Sequence, residues 1–181
     1  MQEQFNLSIV IPCYNEGKRL DIEQISFFLK NQLNVLLCFV DDGSKDNTLE
    51  VLNNLKNKFP TAVKVISTEK NGGKAEAVRI GILHCNQQFN QKSIAYLDAD
   101  LATSLEECVE VSQQINSKVV FAFGSRISKI DNQIDRKIYR FFIGRIIATA
   151  ISHQLGVTVY DTQCGCKIIE NELAKKIFQQ K

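Results

Sequence analysis

The sequence predicts an α/β fold: a mostly parallel, doubly wound sheet flanked by helices. Two observations predict it. Short apolar runs alternate with longer amphipathic segments along the first 124 residues. The connections between them are short, as expected of strand–helix–strand units whose helices cover both faces of a parallel sheet.

Leu7–Pro12 reads as the first strand, with Pro12 ending it. Ile22, Ile25, Phe28, Leu29 and Leu33 form the apolar stripe of a first helix over Ile22–Leu33. Val35–Val40 is continuously apolar, as in a strand covered on both faces. A helix over Asp46–Lys58 buries Leu49, Leu52 and Leu55, with Ser44 or Asp46 as its cap. Val63–Ile66 is the third strand, and Lys74–Cys85 is helical after the Gly72-Gly73 break. The fourth strand, from Ser93, ends at Asp98; a helix follows over Ser104–Ile115, and Val119–Phe123 is the fifth strand. Beyond Gly124 the character changes. A polar loop, Ser125–Gln133, leads into a long helix over Asp135–Leu155, then a short strand, Val157–Tyr160, and a last helix from Glu170.

A length of 181 residues suits one domain. The content of 44% hydrophobic and 23% charged residues is that of a globular chain. A net charge of +2, without a basic run, argues against nucleic acid as a partner. Met1–Asn6 is polar, Leu7–Pro12 is too brief for the apolar core of a signal peptide, and no apolar stretch reaches the roughly eighteen residues of a spanning helix. The six cysteines lie mostly singly in apolar segments, and Cys164-Gly-Cys166 lacks the usual Cys-x-x-Cys spacing. They read as reduced thiols of a cytoplasmic protein.

Function is written at the strand ends. Cys13-Tyr-Asn-Glu16 follows the first strand, Asp41-Asp-Gly-Ser44 the second, Asn71-Gly-Gly-Lys74 the third and Asp98-Ala-Asp100 the fourth. In an open α/β sheet the carboxyl ends of the strands form the ligand edge. Two carboxylates one residue apart repel there unless a cation lies between them, although the same spacing also occurs in plain turns. Glu16 and Asp41 offer acceptors for a base or ribose, and Tyr14 a ring for stacking. Gly72 and Gly73 allow close backbone approach to phosphate or ribose, and Lys74 is a point charge suited to a diphosphate. The dinucleotide fingerprint Gly-x-Gly-x-x-Gly and the P-loop are both missing from the first strand–helix turn.

Val10-Ile-Pro-Cys-Tyr-Asn-Glu16, Val40-Asp-Asp-Gly-Ser44, Asn71-Gly-Gly-Lys74 and Asp98-Ala-Asp100, in that order, resemble the motif set of family 2 glycosyltransferases with the GT-A fold. The resemblance implies a nucleotide-sugar donor, its nucleoside held by Pro12, Tyr14, Glu16, Asp41, Asn71, Gly72 and Lys74. It implies Mg²⁺ or Mn²⁺ on the diphosphate, held by Asp98 and Asp100. Gly124-Ser-Arg126, the helix bearing Arg136, Arg140 and Arg145, and Asp161-Thr-Gln-Cys-Gly-Cys-Lys167 resemble the polyprenyl-phosphate (dolichyl-phosphate) glucose or mannose synthases. That likeness implies an acceptor phosphate bound by Arg126 and Arg136, with Arg140 a rival and Asp161 positioning. It also implies contact with the cytoplasmic membrane face. The long helix could equally pack its apolar side on the sheet and extend its arginines outward.

The expected layout is therefore one GT-A domain, 1–181, with a nucleotide-sugar half over about 1–124 and an acceptor half over 125–181. The resemblance implies further elements beyond the last residue. The alternatives are a family 2 transferase acting on a glycan hydroxyl, and a non-catalytic nucleotide-sugar-binding module.

Overall fold

The structure, a computed structural model, describes residues 4–124 and 164–179. The elements are β1 (Gln4–Cys13), α1 (Ile22–Asn31), β2 (Val35–Asp41), α2 (Thr48–Lys58), β3 (Val63–Ser67), α3 (Lys74–Gln88), β4 (Asn90–Leu97), α4 (Leu105–Ser112), β5 (Phe121–Phe123), β6 (Cys166–Glu170) and α5 (Asn171–Phe178). The chain divides into two compact units, residues 1–122 with 165–181, and residues 123–164. The expected loop at 125–133, the helix over Asp135–Leu155 and the strand Val157–Tyr160 lie outside the described residues, as do Arg126, Arg136 and Asp161.

Six strands form one sheet in the order β3-β2-β1-β4-β6-β5. β1, β2, β3 and β4 are mutually parallel. β6 runs antiparallel to β4, with Leu97 opposite Cys166 and Tyr96 opposite Lys167. The order reverses at β1: the chain winds outward through β2 and β3, then returns to place β4 on the other side of β1. The loops leaving β1 and β4 diverge from that point, which is where open α/β sheets bind ligands.

Alternation along β1 explains the two cores. Leu7, Ile9 and Ile11 are buried on one face, while Val10 joins Cys38, Val40, Ala77, Val78, Ile82, Cys85 and Ile94 under α3 on the other. Ile169 and Ala174 extend this second cluster through β6 and α5. α3 comes exceptionally close to the sheet at Gly81, where an added Cβ would lie 2.4 Å from Val10 Cγ1 and 2.9 Å from Val40 Cγ2.

Several boundaries differ from the sequence expectation. β1 continues through Pro12 to Cys13. The Cys13 carbonyl accepts from Asp42 N on the β2 side (2.8 Å), so backbone alternation turns Pro12 toward β4, where the ladder has already ended at Val10–Tyr96. Its missing N–H therefore breaks no strand pairing. α1 stops at Asn31, and Leu33 is 81% exposed instead of completing the buried stripe. α2 starts at Thr48 with Asn47 as its cap residue, and Leu49 is only half-buried; Leu52 and Leu55 are buried as expected. α4 is shorter than expected, but Ser104 does cap it, in a full capping box with Glu107. β6 went unpredicted because the Cys-Gly-Cys segment carries no clear strand signal. All six cysteines are buried.

Gly81→Ala is expected to cost about 1–3 kcal/mol through overpacking against Val10 and Val40, despite alanine's better helix propensity. Urea denaturation of the two proteins checks this.

Candidate functional site

Loops from four parallel strands meet at the carboxyl edge of the sheet. The first two are stitched together. Asn15 takes a left-handed conformation (φ 55°), and its amide donates to Ser44 Oγ (3.0 Å) while its Oδ1 accepts from Lys45 N (2.8 Å). Glu16 N donates to Thr48 Oγ1 (2.8 Å), and Gly17 N donates to Asp46 Oδ2 (3.1 Å). The other Asp46 oxygen accepts from Thr48 N (3.0 Å) and from the Thr48 hydroxyl. Those bonds, the hydroxyl's above all, hold the Asp46 carboxyl below the usual carboxylate range. A depressed carboxyl stabilises the fold above its ordinary pKa, and this clamp is lost as pH falls through the lowered value.

The second and third loops are joined by Asp42, which is only 3% exposed. Its Oδ1 accepts from Gly72 N (2.9 Å) and from Thr68 Oγ1 (3.3 Å), and its Oδ2 accepts from Gly73 N (2.8 Å). A single carboxylate thus satisfies two consecutive amides just ahead of α3, where the helix dipole also favours negative charge. Gly43 makes the approach feasible: it has φ +66°, and a Cβ there would lie 2.8 Å from Asn71 N. In the sequence Asp42 stands out only as part of the Asp41-Asp-Gly-Ser44 motif; its clamp depends on a loop thirty residues further on.

Asp41 itself is 2% exposed, its Oδ2 accepting from Ser67 Oγ (3.1 Å) and its Oδ1 from Ser44 N (3.4 Å). Each oxygen keeps accepting capacity. Glu16 Oε2 is buried with no hydrogen-bond partner, while Oε1 meets the Arg19 guanidinium at 3.4 Å. Tyr14 is exposed at the rim, as are Asn71, Gly72 and Lys74, and Pro12 is half-buried beside them. Burial first, then the charges of Glu16 and Asp41, push the Cys13 thiol far up, so it is not a nucleophile at neutral pH.

The fourth loop carries the acidic pair. Asp98 is 34% exposed at its side chain, and Asp100 is exposed. The turn between them closes through Leu101 N donating to Asp98 O (3.1 Å), and Leu101 sits at φ 49°, a strained position for a branched residue. Asp100 Oδ1 accepts from Ala102 N (3.1 Å). Asp98 Oδ1 is buried and lacks a hydrogen-bond partner, but the Lys74 ammonium forms an ion pair with it. Lys74 also lies 5.6 Å from the centre of the Tyr96 ring, whose hydroxyl accepts from Lys167 Nζ (2.7 Å).

The structure therefore brings Pro12, Tyr14, Glu16, Asp41, Asn71, Gly72, Lys74, Asp98 and Asp100 to one edge of the sheet. A cavity of about 360 Å³ at the opposite ends of the strands is lined by Phe5, Leu29, Asn34, Phe59 and Ala62 among others, with no carboxylate in its wall.

Among the described residues no group of three His, Cys, Asp or Glu side chains converges as a closed metal cage. The oxygen chemistry of Asp98 and Asp100 nevertheless fits a hard divalent cation, and the unbonded Asp98 oxygen already holds a positive charge. A cation there would draw its remaining ligands from phosphate and water, as Mg²⁺ commonly does.

A mostly parallel sheet with acidic and glycine-rich loops at its switch point is the GT-A architecture. The chain belongs to glycosyl transferase family 2, which matches it over residues 8–178. It is 31% identical over 185 residues to a dolichyl-phosphate beta-glucosyltransferase of Trichomonas vaginalis, covering 94% of this chain and 53% of that protein. The human dolichyl-phosphate beta-glucosyltransferase is also 31% identical, covering 95% of this chain and 57% of its own length. The chain thus spans just over half the length of these relatives. Among solved structures, a mannosyltransferase from Pyrobaculum calidifontis in complex with GDP-Man and Mn²⁺ has the same fold (TM-score 0.62, 12% identity, 98% of this chain and 48% of that one). So does the Mycobacterium tuberculosis glucosyl-3-phosphoglycerate synthase in complex with Mn²⁺, UDP and glucosyl-3-phosphoglycerate (TM-score 0.64, 19% identity, 93% and 58%). No helix among the described residues is long and apolar enough to cross a membrane.

Asp42→Ala is expected to destabilise the protein by about 1–3 kcal/mol by stranding the Gly72 and Gly73 amides. Hydrogen exchange at those two amides should accelerate far more than at the centre of β2.

Proposed function

We propose that the protein is an inverting glycosyltransferase that moves a hexose from a nucleotide-diphospho-sugar to a polyprenyl phosphate. Glucose from UDP-glucose is the preferred donor reading, because the relatives similar over almost the whole chain are named dolichyl-phosphate beta-glucosyltransferases; GDP-mannose is the other candidate. The observation that carries the donor half of this reading is the acidic pair at the sheet's switch point, flanked by Lys74 and the Asp42-held glycine loop.

Residues 1–124 form the nucleotide-sugar half. Tyr14 is exposed for stacking on the base, and Glu16 and Asp41 have free accepting capacity for base or ribose. Pro12, Asn71 and Gly72 shape the nucleoside edge. Asp98 and Asp100 would hold Mg²⁺ or Mn²⁺, which when bound neutralises charge on the departing nucleoside diphosphate. Lys74 adds its charge to the same group. Residues 125–181 form the acceptor half, with Arg126 and Arg136 binding the lipid phosphate and Asp161 positioning it, at a membrane surface.

A phosphate acceptor removes the need for a general base, since it is already ionised at neutral pH. Its oxygen attacks the anomeric carbon from the face opposite the diphosphate. The new carbon–oxygen bond forms as the bond to the diphosphate breaks, and the configuration inverts.

Incubation with UDP-glucose, Mn²⁺ and a short polyprenyl phosphate should yield the β-configured polyprenyl-phosphoglucose, with little transfer to a glycan hydroxyl. Transfer only to the hydroxyl acceptor would replace the lipid-phosphate reading. Donor binding without any transfer, in a chain extended to the length of its relatives, would favour a binding module. Asp100→Asn should abolish the Mn²⁺-dependent part of UDP-glucose binding, and calorimetry with and without Mn²⁺ checks it.

Lys74 already occupies Asp98 as an internal cation, so Mn²⁺ alone competes with it. Lys74→Met should tighten nucleotide-free Mn²⁺ binding about three- to tenfold, since a half-exposed ion pair is weak. The paramagnetic resonance signal of free Mn²⁺ reads this directly.

A further inference from the structure

The Asp98 carboxylate lies against a backbone that no strand-end motif includes. Gly165 immediately precedes β6, and its carbonyl accepts from Asp98 N (3.1 Å). This continues the antiparallel register of Leu97 with Cys166 for one more residue past the end of β4. The Gly165 Cα faces the Asp98 side chain so closely that an added Cβ would lie 2.3 Å from Oδ2, 2.6 Å from Cγ and 3.0 Å from Cβ of Asp98. At Gly17, Gly43, Gly72, Gly73 and Gly81 an added Cβ would not come within 3.0 Å of Asp98 or Asp100. Lys74 contacts the other oxygen, Oδ1. The carboxylate is therefore confined on one side by bare backbone and on the other by an ammonium.

We infer that Gly165 is a positioning residue for Asp98: its lack of a side chain is what lets the carboxylate lie back against β6, in the orientation in which it would hold a divalent cation. Two features make this more than a packing constraint. Gly165 is part-exposed and has an ordinary backbone conformation, so neither core filling nor left-handed geometry demands glycine there. The atoms a methyl group would strike belong to Asp98, whose other, buried oxygen has no hydrogen-bond partner and meets only the Lys74 ammonium. The neighbouring residues fix this seat from the same strand: Cys166 is fully buried opposite Leu97, and Lys167 donates to the Tyr96 hydroxyl. A segment remote in sequence thus sets the direction of a carboxylate on β4. This inference rests on the reading of Asp98 as a metal ligand.

The test compares wild type, Gly165→Ala, Asp98→Ala and the double variant in two assays. In thermal unfolding without metal, Gly165→Ala should lower Tm by about 5 °C in the wild-type background and much less in the Asp98→Ala background, where Oδ2 and Cγ are gone. In Mn²⁺ titrations with UDP present, Gly165→Ala should weaken Mn²⁺ binding about tenfold, the usual effect of disturbing a group that orients a ligand. Metal-free UDP binding should stay within twofold, and the double variant should lose no more Mn²⁺ affinity than Asp98→Ala alone. An equal Tm loss in both backgrounds, or failure to fold in both, would show that the backbone and not Asp98 requires glycine, and would overturn the inference. Unchanged Mn²⁺ affinity in Gly165→Ala, with Asp98→Ala impaired, would also overturn it. Unchanged Mn²⁺ affinity in Asp98→Ala would instead remove the metal reading on which it stands.

Discussion

Hydrogen bonding of β1 to parallel neighbours on both sides, with Val10 level with Cys38 on one and Tyr96 on the other, is the constraint on which the site depends. Because β1 lies between β2 and β4, the loop after β1 is bordered by the loops of two strands that entered the sheet by opposite routes. The β4 ladder ends at Val10 while the β2 ladder runs on to Cys13. The ends of β1 and β4 are therefore unpaired beyond Val10, and the half-buried Pro12 tolerates this because it has no amide to satisfy there.

The electrostatics of the edge follow from how each carboxylate is used. Asp46 clamps the first loop to the second, and Asp42 clamps the second to the third; both are engaged by donors within the protein. Asp98, Asp100 and Glu16 are less completely satisfied: one Asp98 oxygen has only an ion pair with Lys74, and one buried Glu16 oxygen has no partner. This distinction separates the acids that clamp the loops together from those with accepting capacity to spare. Asp42 and Asp46 hold backbone amides with both oxygens, whereas Asp98 and Glu16 meet flexible side chains or nothing and Asp100 holds one amide, Ala102 N, with a single oxygen.

Much of this was legible in the sequence. The strand-end motifs stood out because apolar runs break abruptly into Asp, Asn and Gly, and the parallel sheet followed from continuous burial of runs such as Val35–Val40. What was not legible depended on contacts between distant segments. Asp42 could not be assigned before its carboxylate was seen against Gly72 and Gly73, thirty residues on. Gly165 could not be paired with Asp98 because β6 returns antiparallel from a segment with little strand character of its own. Leu33 misled for the opposite reason: it fits the helical period, but α1 ends before reaching it.

The central claim is that the donor diphosphate and its cation bind at the carboxyl edge of β4. Paramagnetic broadening of amide resonances by substoichiometric Mn²⁺ in the presence of UDP tests it most directly. The account predicts that the amides of Gly73, Ala99, Ala102 and Gly165 broaden first. Those of Asn34, Thr61 and Ala62, at the far ends of β2 and β3 roughly 20 Å away along the strands, should stay sharp. Broadening centred on the far end, or spread evenly over the protein, would contradict it.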